Sequence, residues 1–198
     1  MSELTFKNEK TSSKSIISTK TITMCALMTA LCCILGPLSI PIGSVPISLT
    51  VISVYLCCYT LGAFKGTIAY LVYLLLGLVG LPVFSNAQGG PGKLFGLTGG
   101  YIIGFIFMTI ISGLFIDNFS SKKWYMHLIG MILGLIACYA FGTLYFMFLT
   151  NTSLKATLSV CVFPFIPFDC IKIILSLILG ISLRKALSIS GLMHYKNI

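Results

Sequence analysis

The sequence predicts an all-α membrane protein, a bundle of six transmembrane helices with irregular outer loops. Three observations carry that expectation. Hydrophobic residues make up 57% of the chain and charged residues only 9%, whereas a soluble domain carries roughly a quarter charged residues to cover its wet surface. The mean hydropathy is +1.04. The apolar runs also recur at lengths near the roughly 20 residues that a membrane-crossing helix needs, and 198 residues hold about six of them once loops are subtracted.

The runs follow in order. Residues 1–20 form a polar tail carrying Lys7, Lys10, Lys14 and Lys20. No short apolar core with a small-residue cleavage site follows, so the tail reads as uncleaved and cytoplasmic. The transmembrane domain is expected over residues 21–185, with a short cytoplasmic tail at 186–198. Its first span covers about 21–35. Three prolines, Pro37, Pro41 and Pro46, then forbid a continuous helix in a stretch that is still apolar. Irregular backbone at membrane depth survives only when buried in protein or lining a cavity. The second span runs about 47–63, a tight turn is expected at Lys65 and Gly66, and the third span runs about 67–80. A glycine-rich loop occupies 81–97, the fourth span 98–116, the fifth 124–149. The sixth, 158–183, is interrupted early by Pro164 and Pro167.

The lysines set the orientation. With six spans and a cytoplasmic N-terminus, the four tail lysines, Lys65, Lys122, Lys123, Arg184, Lys185 and Lys196 fall inside. Only Lys93 and Lys155 fall outside, which is a strong positive-inside bias. The proline-rich loop, the glycine-rich loop and the start of the last span then share the outer face. The same distribution answers the formal charge of +9: basic residues flank apolar runs instead of lining a polar face, which argues against nucleic-acid binding.

Few residues are equipped for chemistry. Asp169 and Lys172 lie three apart in an apolar span, on one helix face. An ion at the bilayer centre costs at least about 2.5–3.5 kcal/mol on insertion scales, so such residues face a cavity or each other and are functional by default. The bland alternative is a self-satisfied pair that fixes helix packing. In the loop after the third span, Asn86 and Gln88 offer donors and acceptors. Gly90 and its neighbouring glycines allow close backbone approach, Phe84 and Tyr101 can wall a pocket, and Lys93 offers a cation. The same composition also suits a plain external loop. Ala26 and Ala30 form a small-xxx-small pair that permits close helix contact, though alanines are common in membrane helices. The eight cysteines include no CxxC pair and lie mostly in apolar runs, where a thiol acts as a small hydrophobe; no metal site or disulfide framework is expected. His127 and His194 are isolated, only four acidic residues exist, and no Gly-x-Ser-x-Gly elbow is present. An enzyme is therefore not expected.

Three segments in this order resemble the BioY family, the biotin-specific S components of energy-coupling factor (ECF) transporters. They are Val45-Pro46-Ile47-Ser48-Leu49; Gly80-Leu81-Pro82-Val83-Phe84 through Gly89-Gly90 and Thr98-Gly99-Gly100-Tyr101; and Pro164-Phe165-Ile166-Pro167 followed by Asp169 and Lys172. The resemblance runs from about Ala26 to Lys185. It implies an S-component-like bundle in the bacterial cytoplasmic membrane that captures biotin from outside. It implies a transmembrane coupling (T) subunit and cytoplasmic ATPase subunits as partners, with ATP used by those subunits and no cofactor in this chain. It also implies that Ala26 and Ala30 dock the coupling subunit. This chain departs from the family at Phe168, where a glycine is usual, and at Thr50 and Val51, where a glutamine is common; both bear on pocket shape. Biotin's ureido ring suits Asp169 as acceptor and Asn86 or Lys172 as donor, and its carboxylate suits Lys93 or glycine N–H groups. The alternatives are an S component for another vitamin and a small membrane-embedded lipid-modifying enzyme.

Overall fold

The computed structural model describes residues 19–41, 45–193 and 195. Most of the polar N-terminal tail, His194 and Lys196 therefore lie outside the described residues. The chain forms α1 (Thr19–Leu35), a two-stranded antiparallel ribbon of β1 (Ser39–Ile40) and β2 (Ile47–Ser48), and α2 (Thr50–Leu78). A 3-10 turn at Ser85–Ala87 and the one-turn α3 (Pro91–Leu94) follow, then α4 (Gly99–Asn118), α5 (Trp124–Thr150), α6 (Leu154–Cys161) and α7 (Ile166–Ile189). Among the described residues, α2, α4, α5 and α7 are long and apolar enough to cross a membrane, and α1 is a shorter apolar helix. The chain is a multi-pass membrane protein.

α2 is not straight. Gly62 sits at φ 78°, ψ −176°, a region essentially reserved for glycine. The chain folds back there: a β-carbon on Gly66 would stand 3.1 Å from the Cys57 carbonyl oxygen, whereas nine residues of straight helix span about 13.5 Å. The turn expected at Lys65 and Gly66 is therefore three to four residues too late. Both are helical: the reversing conformation is taken at Gly62, where the next N–H meets Asp117, while Gly66 serves close packing.

Three other segments clamp this reversal. The Ala63 N–H, an orphan donor at the start of the second half of α2, donates to Asp117 Oδ2 at 2.7 Å. Asp117, near the end of α4, also receives Arg184 Nη2 of α7 at 3.5 Å. The Arg184 guanidinium is buried and lies 4.3 Å from the centre of the Tyr195 ring. The Tyr195 hydroxyl donates to the Thr60 carbonyl at 2.8 Å, an acceptor left over at the end of the first half of α2. α7 itself runs to Ile189, beyond the expected end of the transmembrane domain at residue 185.

Contacts at this end also join Lys20 to the Gly191 carbonyl at 3.4 Å and Cys25 to the Lys65 carbonyl at 3.9 Å. The basic residues Lys20, Lys65, Arg184 and Lys185 thus collect at one end of the bundle. At the other end Ser39 meets Asn86 at 2.9 Å and Tyr145 meets the Phe95 carbonyl at 3.1 Å. The irregular segments gather there. His127 is not isolated: it is buried, with Tyr59 at 3.3 Å on Nδ1 and the Phe119 carbonyl at 3.0 Å on Nε2.

Replacing Gly62 with alanine forces a Cβ into a glycine-only conformation and against the Asp117 carboxylate. Gly62→Ala is expected to destabilise the detergent-purified protein by about 3 kcal/mol, read as a clear fall in melting temperature. Gly92→Ala, where a Cβ meets open space, should melt like wild type. Wild-type melting of Gly62→Ala would show that the chain does not reverse at this residue.

Candidate functional site

The irregular end of the bundle holds a cavity with about 680 Å³ of atom-free space, open mouth included. All three irregular segments reach it, through Val45 and Pro46, Phe84 and Ser85, and Phe165. Thr50, Val51, Tyr70 and Tyr73 of α2 line it, with Tyr101, Ile102 and Phe105 of α4, Leu135, Cys138 and Tyr139 of α5, and Asp169 and Lys172 of α7.

The local sequence explains how the charged pair comes to face it. Pro164 disfavours helical backbone for the residue before it, so α6 ends at Cys161 and the chain re-forms a helix at Ile166. Pro167 in the first turn needs no intrahelical donor. Asp169 lies in that same turn, where the helix dipole favours an anion. Its side chain is 4% exposed and that of Lys172 7%. Lys172 Nζ donates to Asp169 Oδ1 at 2.8 Å, and the Tyr139 hydroxyl donates to Asp169 Oδ2. The anion is thus held from its own helix and from the facing helix α5.

The other tyrosines present ring faces and keep their hydroxyls occupied. Tyr70 donates to the Ile102 carbonyl at 2.7 Å, Tyr73 to the Val83 carbonyl at 2.9 Å, and Tyr101 meets Thr143 at 3.4 Å. Phe84 packs edge-on against Tyr73, centroids 5.6 Å apart. The result is an aromatic chamber with one ion pair at its wall. Such a lining can hold apolar rings and pair a few polar atoms. Among the described residues no group of three or more His, Cys, Asp or Glu is placed to hold a metal.

Of the residues singled out from sequence, Asp169, Lys172, Phe84 and Tyr101 meet at the cavity. Asn86 does not line it. It is exposed, holds φ 62°, and is tied to Ser39 through its backbone N–H at 2.7 Å and its side-chain oxygen at 2.9 Å. It pins the loop to β1 beside the lining residue Ser85. Gly90, at φ 87°, donates its N–H to the Gly77 carbonyl at 2.7 Å and fixes the loop to the end of α2. Gln88 and Lys93 line a separate open depression with Gly92 and Gly96; Thr98 borders both this depression and the cavity. Burial holds the Lys93 ammonium below the ordinary lysine value. Ala26 and Ala30 are exposed on one face of α1, far from any cavity-lining role. Phe168 faces an outer groove with Leu38 and Ile40, so that departure from the family leaves the chamber untouched. Thr50 does line it and accepts from Ser48 at 2.9 Å. Tyr139, Tyr70, Tyr73 and Phe105 escaped the sequence reading. For the three tyrosines the signal was available: a tyrosine inside an apolar span must find a partner for its hydroxyl.

Comparison with known proteins agrees with this architecture. A model of the BioY family matches residues 7–189. The biotin transporter BioY of Thermotoga maritima is 40% identical over 159 residues, covering 80% of this chain and 92% of the relative. The biotin transporter BioY2 of Lactococcus lactis is 38% identical over 170 residues, covering 84% and 91%. The crystal structure of an S-component for biotin from an ECF-type ABC transporter superposes with a TM-score of 0.76 at 38% identity, over 84% of this chain and 91% of that one. The chain with the paired Asp169 and Lys172 in its aromatic chamber belongs to the BioY family.

Proposed function

We propose that this protein takes up biotin across the bacterial cytoplasmic membrane as the substrate-capture subunit of an ATP-driven ECF transporter, with no catalysis of its own. The observation that carries the reading is the buried Asp169–Lys172 pair, facing an aromatic cavity in a chain whose relatives are named biotin transporters. The pair matches a ureido ring, which offers N–H donors to a carboxylate and a carbonyl acceptor to an ammonium. Charge-assisted bonds of this kind contribute roughly 1.5–3 kcal/mol each. The tyrosine and phenylalanine faces suit the apolar part of the bicycle. The depression with Lys93 adjoins the cavity through Thr98, which supports Lys93 and the neighbouring glycine N–H groups as partners for the carboxylate tail. Asn86, Gln88 and Gly90 serve by shaping the loop over the chamber.

The transmembrane arrangement belongs to the same reading. α1, the two halves of α2, α4, α5 and α7 make six crossings, with both termini cytoplasmic. The basic end formed by Lys20, Lys65, Lys122, Lys123, Arg184 and Lys185 faces the cytoplasm, and the cavity faces outward. A coupling subunit and ATPase subunits complete the transporter. Ala26 and Ala30, exposed together on α1, let a partner helix approach closely.

Calorimetric titration of the detergent-purified protein with biotin should show binding that unlabelled riboflavin and thiamine fail to displace. Asp169→Asn or Lys172→Ala should weaken it at least about tenfold; wild-type affinity in both variants would remove these residues from the site. In cells, Ala26→Leu or Ala30→Leu should abolish uptake while biotin binding by the purified variants stays intact. Uptake surviving both changes would place the docking surface elsewhere.

A further inference from the structure

Tyr139 stands in the wall between two spaces. With Leu135 it lines both the cavity and an apolar groove that opens on the outside of the bundle between α5, α6 and α7. The groove offers its hydroxyl little polar company, and the hydroxyl turns inward to Asp169. Asp169 thus has a donor on each oxygen: Lys172 from the next turn of its own helix, and Tyr139 from the facing helix.

We infer that Tyr139 is a positioning residue that fixes the Asp169 carboxylate as an acceptor for a ligand N–H, and thereby sets the site's specificity for ligands carrying that donor. The inference rests on the biotin reading and adds to it a residue that touches neither the charge balance nor the loop. Two donors at opposite oxygens fix the carboxylate plane, where one donor leaves it free to rotate about its terminal torsion, which has no sharp rotamer wells. Each oxygen retains a second lone-pair direction. With Lys172 and Tyr139 both donating, what the carboxylate offers a ligand is acceptance only. A ring N–H is welcomed. A ring oxygen or carbonyl at the same place meets lone pairs and leaves a buried acceptor unpaired, which is the arrangement that discriminates most strongly between isosteres. Tyr139→Phe removes the hydroxyl and keeps the ring that seals the wall, so it separates positioning from packing.

The experiment measures affinities of wild type and Tyr139→Phe for biotin and for its cyclic-carbamate isosteres, in which one or the other ring N–H is replaced by oxygen. Wild type should bind biotin well and reject at least one isostere. In Tyr139→Phe the affinity for biotin should fall about tenfold, the scale of one oriented bond to a charged group, while affinity for the rejected isostere changes little, so that discrimination collapses. Melting temperatures without ligand check that the variant keeps its fold. An equal fall for biotin and isostere would mean that the residue acts by packing alone, and no change for either would mean that it does not position Asp169; each result overturns the inference and leaves the biotin reading standing. Failure of wild type to bind biotin would overturn the reading itself.

Discussion

No group at membrane depth can borrow a hydrogen bond from lipid, and this constraint organises the whole molecule. Tyr55, Tyr70 and Tyr73 each donate to a backbone carbonyl, at 2.8, 2.7 and 2.9 Å. Each bond ties one helix or loop to another while leaving the ring face for packing or for the chamber. Thr29 does the same between α1 and α2 at 2.9 Å. The polar groups of the interior thus act as fasteners between apolar helices that gain little from the hydrophobic effect against lipid.

The same constraint governs the two charged clusters. At one end, Asp117 answers the Ala63 N–H and Arg184, and so holds the only break in α2. At the other end, Asp169 and Lys172 answer each other, with Tyr139 as third partner. Removing one member of the buried Asp169–Lys172 pair is costly because the other charge is stranded, by about 3–5 kcal/mol. The two clusters lie on one stripe of α7, which buries Asp169, Lys172, Ile173, Ser176, Gly180 and Arg184 at helical spacing. One face of a single helix therefore connects the chamber to the clamped reversal.

The chamber needs irregular backbone as much as charge. The ribbon of β1 and β2, the pinned turn at Asn86 and the break before α7 bring Pro46, Ser85 and Phe165 to the same space. A continuous helix would carry these residues past one another. The prolines and glycines that prevent it leave backbone groups to be satisfied locally, as in the bond from Phe84 N–H to the Gln88 carbonyl at 2.9 Å.

By itself the sequence determined the apolar helices, their approximate limits, the concentration of positive charge at one end and the placing of Asp169 and Lys172 on one face of a helix. These follow from composition, from run length and from a spacing of three on a helix, all of which are local. The family motifs were legible for the same reason. What only the tertiary structure decided was which residues meet. It moved the reversal from Lys65–Gly66 to Gly62, because several glycines permit a turn and only the contact with Asp117 selects one. It set Asn86, Gln88 and Lys93 outside the chamber, because a loop's path depends on anchors such as Ser39 and Gly77 that are distant in sequence. It brought in Tyr139, thirty residues from its partner, because the direction of a side chain on α5 is fixed by how α5 packs and by nothing in its own neighbourhood.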